Sequence, residues 1–266
     1  MKRRKTIRAG RLVHDCAYTM CYPSDAPRVR REKQKCTSAA RRRMNLKRAA
    51  QKLELSLAAN FGPGDLVLSL DYRDDALPGT RAEAVERVRK FLRQLRRHRK
   101  ARGEELRYVY VTEGLHGEGR LHHHLVINGT EKDLDTLRSL WTHGEVDLCR
   151  FSLRDGYYAL AEYLTKEPRN GDRKKSGERC WTSSLNLRKP EVECGLIPDS
   201  LTLSVPPGAV VLDSDSVRNE FGEFVYLKYL LPAGLPQPKA RKPKGFQARE
   251  AEKNSRCKNR KDVLQS

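Results

Sequence analysis

No stretch of this chain is apolar for long enough to span a bilayer, and no apolar core follows its basic first residues. Neither a membrane span nor a secretory leader is expected, and the chain reads as soluble and non-secreted. No Cys-x-x-Cys pair is present, and the seven cysteines are odd in number and scattered. They argue for reduced thiols in a reducing compartment. A zinc knuckle built from His14, Cys16, Cys21 and Cys36 is disfavoured, because no ligand pair has the usual close spacing. No GxxxxGK[ST] phosphate loop exists, so any helicase motor must come from another protein. Acidic residues are also scarce: 34 stand against 54 lysines and arginines, a formal charge of +20. That surplus suits a polyanion, nucleic acid first and an anionic membrane second.

What is present reads as an α+β order. The 266 residues suffice for one large domain or two small ones. Residues 1–40 carry charge runs at 2–5 and 28–35 and little apolar periodicity, so they read as a basic N-terminal arm. That arm is either solvated or in contact with phosphates. From 37 to 60 a helical pattern sets in through Leu46, Ala49, Ala50, Leu53 and Leu57. Arg41, Arg42, Arg43 and Lys47 crowd its first half and are candidate DNA contacts. Residues 65–72 form a strand. A helix follows over 81–100, opened by the capping pair Thr80 and Glu83. The arginines near its end complement the helix dipole, so they need no binding role. A further helix over 131–141, a strand over 145–151, a helix from 155 and a short return to the sheet near 181–186 complete the pattern. One antiparallel sheet with helices on one face, near the ferredoxin-like arrangement, is the expected fold. Residues 201–231 read as a small β-rich extension and 232–266 as a basic disordered tail, so both termini are expected to be flexible.

The stretch 107–127 carries the chemistry. It reads as two strands joined by a glycine-rich turn. Side chains alternate along a strand, so His122 and His124 share a face while His123 points away. Glu113 closes the first strand and can sit opposite the pair. Two imidazoles and a carboxylate suit a divalent cation, although a solvated hairpin edge is an alternative reading of three histidines. His123→Leu should be tolerated, because its side chain points away from the pair. On the last helix Tyr157, Leu160, Ala161 and Leu164 form the core face. Tyr163 then lies on a flank and Lys166 nearly opposite the core. A tyrosine capping the core edge is the bland reading. The alternative is a nucleophile, because a bound cation and a lysine offset the weak nucleophilicity of a phenol.

Three segments together resemble the HUH endonucleases, and among them the filamentous-phage gene II-like rolling-circle replication initiators. Leu66–Tyr72 resembles the first family motif, Arg120–Ile127 the second, and Tyr163-Leu164-Thr165-Lys166 the tyrosine-x-x-lysine third, in the family's order over roughly 40–190. The resemblance implies an HUH endonuclease domain over 41–200 with Glu113, His122 and His124 holding Mg2+ or Mn2+. Tyr163 would be the nucleophile and Lys166 its assistant. Arg120 joins the candidate DNA contacts. The implied activity is nicking of single-stranded or locally melted origin DNA, leaving a 5′-phosphotyrosine link and a free 3′-OH. A helicase and polymerase of the bacterial host would follow, in the cytoplasm. An HUH transposase, a conjugative relaxase and a non-catalytic DNA-binding protein are the alternatives. Two departures stand out. His123 occupies a position that is normally hydrophobic, which points to a face that tolerates a polar group or to an edge strand, and Ala159 replaces the second tyrosine of two-tyrosine relatives.

Overall fold

The computed structural model describes residues 1–20, 39–114, 120–129, 131–152, 156–166, 180–220 and 222–232. The expected tail and the basic run at 28–35 lie outside them, as does the hairpin turn at 115–119. The elements in chain order are β1 (Lys2–Ala9), β2 (Leu12–Thr19), α1 (Ala39–Asn60), β3 (Leu66–Asp71) and α2 (Arg81–Ala101). Then come β4 (Tyr108–Glu113), β5 (His122–Ile127), α3 (Leu134–Leu140), β6 (Val146–Arg150) and α4 (Gly156–Thr165). The described chain ends with β7 (Thr182–Ser183), β8 (Glu191–Ile197), β9 (Val210–Asn219) and β10 (Gly222–Leu230).

These strands build two antiparallel five-stranded sheets, ordered β6-β3-β5-β4-β7 and β8-β1-β2-β10-β9. The α+β class therefore holds. In the first sheet Leu66, Leu68, Leu70, Leu125 and Ile127 project to one face, where α2 and α3 bury Phe91, Leu95 and Leu137 against them. The alternate residues Val109, Val111 and Val126 project to the other face and meet Leu53 and Leu57 of α1 and Ala161 and Leu164 of α4. Helices thus cover both faces, where the sequence pattern pointed to one. The reason is that β4 and β5 are apolar on both sides, as strands buried on both faces must be.

The expected N-terminal arm is corrected over its described part, because residues 2–19 are a hairpin at the centre of the second sheet. Ion pairs replace apolar alternation there. Arg4 reaches the fully buried Asp15 at 2.5 Å, and Lys2 reaches Glu223 at 2.6 Å. The β9–β10 hairpin, expected as part of a small β-rich extension, joins β2 in the same sheet. Gly10, at φ +55°, turns the β1–β2 hairpin directly onto α1, where a Cβ would lie 2.5 Å from the Ala58 carbonyl oxygen. A buried charge cluster also joins this sheet to α1. Glu54 lies 2.7 Å from Lys228 and 3.5 Å from His14, and all three are buried. The Lys228 ammonium also sits 4.6 Å from the ring centroid of Tyr158 on α4. His14 is thereby engaged with Glu54 and, at 3.3 Å, with the Tyr226 hydroxyl. The other knuckle cysteines, Cys21 and Cys36, lie outside the described residues, and Cys16, Cys149, Cys180 and Cys194 are free thiols.

Candidate metal centre and nucleophile

The site lies on the α4 face of the first sheet. His122 is the register partner of Asp71 on one side and Glu113 on the other, and His124 lies between Ser69 and Val111. Strand alternation sends His122 and His124 of β5 to the face covered by α4, together with the partners they meet on β3 and β4. His122 Nδ1 donates to the Arg120 carbonyl at 2.8 Å, so Nε2 of the neutral ring turns a lone pair inward. His122 Nε2 and His124 Nε2 are 3.1 Å apart, and Glu113 Oε2 lies 3.8 and 3.9 Å from them. The three ligand atoms all fall within 4.8 Å of one another.

Helix α4 brings Tyr163 to the same point. Its hydroxyl is 3.1 Å from His124 Nε2, and the residue is 45% exposed. Just past the helix end, Lys166 Nζ lies 3.6 Å from Glu113 Oε2 and 3.8 Å from the Tyr163 ring centroid. The helix turns Tyr157, Ala161 and Leu164 into the core, which leaves Tyr163 on the flank. A single imidazole nitrogen has one in-plane lone pair or one proton. His124 Nε2 therefore cannot satisfy His122 and Tyr163 together by hydrogen bonding. A divalent cation would satisfy this convergence of nitrogen and carboxylate donors. Burial holds the His124 pKa below its ordinary value. Glu113 opposes that effect, and the charges of His122 and Lys166 add to it. A neutral imidazole is the form that ligates metal.

The other tyrosines of α4 point elsewhere. The Tyr157 hydroxyl donates to the Phe61 carbonyl at 3.1 Å, and burial raises the pKa of both Tyr157 and Tyr158. His123 is fully buried on the opposite face, in a central strand. Its Nε2 lies 2.7 Å from the Tyr72 hydroxyl and its Nδ1 2.9 Å from Thr112 Oγ1. Burial lowers its pKa to about 3 and keeps the ring neutral. A satisfied polar pair therefore occupies the expected hydrophobic position, and the edge-strand explanation is set aside.

The candidate DNA contacts divide. Arg41, Arg43 and Lys47 lie on α1, where Arg41 and Arg43 are exposed, and the Arg42 side chain lies outside the described residues. The Arg120 guanidinium is held by the Tyr72 carbonyl, at 3.0 and 2.5 Å, and by the Asp74 carboxylate. It ties the start of β5 to the loop after β3. Sequence reasoning passed over Asp71, which shares the site face and accepts from Ser69 Oγ at 3.3 Å. The alternation of Leu66, Leu68 and Leu70 on the core side was the signal that sends Ser69 and Asp71 to the other. Trp141 and Gly144 then fix this strand end. The indole donates to the Asp71 carbonyl at 2.9 Å, and a Cβ on Gly144 would collide with the same oxygen.

Residues 65–168, from the start of β3 to just beyond α4, match the family model of the replication-associated proteins of the ORF2 and gene II type. Over that segment the chain is similar to this replication-associated family. The segment contains Glu113, His122, His124, Tyr163 and Lys166, whereas the second sheet lies outside it. No curated protein and no solved structure matches the chain. Among the described residues no helix is long and apolar enough to cross a membrane.

Proposed function

We propose that the chain is a rolling-circle replication initiator that nicks single-stranded or locally melted origin DNA through Tyr163. The observation that carries this reading is the approach of the Tyr163 hydroxyl to the Glu113–His122–His124 donor set, 3.1 Å from His124 Nε2. An element 39 residues away in sequence delivers the nucleophile to that point.

The phenol oxygen of Tyr163 attacks the scissile phosphorus. A bond forms between that oxygen and phosphorus, the bond to the 3′ oxygen breaks, and the 3′ oxygen takes up a proton from solvent. The phenol proton is lost to solvent, since Tyr163 is half-exposed. Lys166 sits over the ring and offsets the negative charge that gathers on the phenol and phosphate oxygens. Glu113, His122 and His124 would hold Mg2+ or Mn2+, which supplies Lewis-acid polarisation of the phosphate. Glu113 also fixes Lys166 by charge. The products are a 5′-phosphotyrosine link and a free 3′-OH for a host polymerase, with strand separation left to a host helicase. Tyr163 is the single nucleophile, because the hydroxyl of Tyr157 is committed to Phe61 and Tyr158 lies under Lys228.

The test is incubation with a labelled single strand and Mn2+, read on a denaturing gel. A covalent protein–DNA adduct and a polymerase-extendable 3′ end are expected. Cleavage that proceeds without an adduct would replace the tyrosine by a water nucleophile.

A further inference from the structure

The second sheet lies outside the matched segment, and among the described residues its face toward α1 is used at one end only. There His14 and Lys228 meet Glu54, and Leu12 joins the core. The strands continue away from this contact. Leu196, Arg3, Tyr18, Phe224 and Val217 form one cross-strand row on the same face, since each is the register partner of the next. The adjoining row toward α1 brings Lys5, Cys16 and Tyr226 beside them. Leu196 is 53% exposed, Val217 50% and Phe224 40%, and Arg3 is exposed as well. The opposite face differs, because Val205 and Ala209 cover Val13, Tyr229 and Leu231 there.

We propose that this row is a stacking platform for single-stranded DNA, an inference that rests on the reading that the chain acts on such a strand. Bases present apolar faces that stack on aromatic rings whatever their sequence, and Tyr18 and Phe224 are neighbours across β2 and β10. Arg3 and Lys5, on the strand beside them, supply positive charge for the phosphates. Leu196 and Val217 flank the rings with apolar surface. The acidic residues of this face, Asp213 and Asp215, pair with Lys228 and Tyr226 in the two rows nearer α1, outside the platform row. A row of aromatic and basic groups on a chain of net charge +20 complements a polyanion with exposed bases. The platform would hold the strand independently of Tyr163 and of any metal.

The test is fluorescence anisotropy of labelled dT20 with the full chain in EDTA. Phe224→Ala and Tyr18→Ala should each weaken binding about tenfold, the scale of one stacked base. Phe224→Leu keeps the apolar contact while removing the ring, so an equal loss there assigns the effect to stacking. Arg3→Gln should lower the salt slope by about one. Iodouracil in the oligonucleotide should photo-crosslink to Tyr18 or Phe224. Unchanged dT20 affinity in both alanine variants overturns the platform. Equal competition by duplex DNA overturns the single-strand assignment. So does a Phe224→Ala variant that alters self-association while dT20 affinity stays fixed. A wild-type chain that forms no covalent adduct but loses affinity in these variants keeps the platform and sinks the nicking reading. An adduct-forming chain indifferent to both rings does the reverse.

Discussion

Replacing His123 by leucine tests whether the strand that carries the candidate metal ligands is held by polar pairing. The Tyr72 hydroxyl lies 3.4 Å from the Ala84 carbonyl, to which it donates, so it accepts from His123 Nε2–H. Nδ1 is then left to accept from the Thr112 hydroxyl at 2.9 Å. Leucine removes both partners. Thr112 and Tyr72 are buried at 4% and 3% exposure, so neither finds water in exchange. The orphaned Thr112 donor costs about 1–3 kcal/mol, the lost bond to Tyr72, whose hydroxyl still donates to Ala84, costs roughly 1 kcal/mol, and the added apolar surface returns roughly 1 kcal/mol. A net loss of about 2 kcal/mol at pH 7.5 is expected. The pH dependence adds a second signature. The folded-state pKa of His123 is lowered to about 3, so the unfolded chain takes up a proton that the folded chain refuses. Stability from this group is complete above the unfolded pKa of about 6.5 and falls as pH drops toward 3, by about 1.4 kcal/mol per unit. The leucine variant escapes that loss. The stability gap between the two proteins should therefore shrink by about 2 kcal/mol between pH 7.5 and pH 5. Urea unfolding at both pH values reads it. A variant as stable as wild type at pH 7.5, or a gap that does not narrow in acid, would refute the reasoning.

The other consequences concern charge. His122→Ala or His124→Ala should remove Mn2+ binding, measured by titration calorimetry, and abolish nicking; their melting temperatures should stay close to wild type, since neither side chain belongs to the hydrophobic clusters on the two sheet faces. Lys166→Met should slow single-turnover cleavage by about 10–100-fold without stopping it, because the lysine assists charge and forms no bond; cleavage at the wild-type rate would remove its role. Glu54→Ala leaves Lys228 buried and unpaired, so unfolding free energy should fall by about 3–5 kcal/mol, and an unaltered urea midpoint would show that solvent reaches the ammonium.

Much of the half that holds the candidate site was legible because its signals are local. The capping pair at Thr80 and Glu83 fixed the start of α2, where the Thr80 hydroxyl accepts from the Glu83 amide at 3.2 Å. Alternation put His122 and His124 on one face, and the helical period put Tyr163 on a flank. Of the second sheet only the β9–β10 segment was legible as strand. β1 reads KRRKTIRA, whose charges look like a solvated arm until Asp15 and Glu223 arrive from other strands. Its partner β8 lies nearly two hundred residues away, and no local pattern encodes that pairing. His123 was expected to tolerate leucine for the same reason. Its partners Tyr72 and Thr112 come from the end of β3 and from β4, and only the assembled sheet brings them together.

Peptide mapping of a trapped protein–DNA adduct, run beside Tyr163→Phe, tests the central claim most directly. Tyr163 is 45% exposed, so losing its hydroxyl should leave the melting temperature almost unchanged. The wild-type adduct should yield one DNA-linked peptide, carrying Tyr163, and the phenylalanine variant should form neither adduct nor nick. A DNA-linked peptide containing Tyr157 or Tyr158, or an adduct that persists in Tyr163→Phe, would contradict the account.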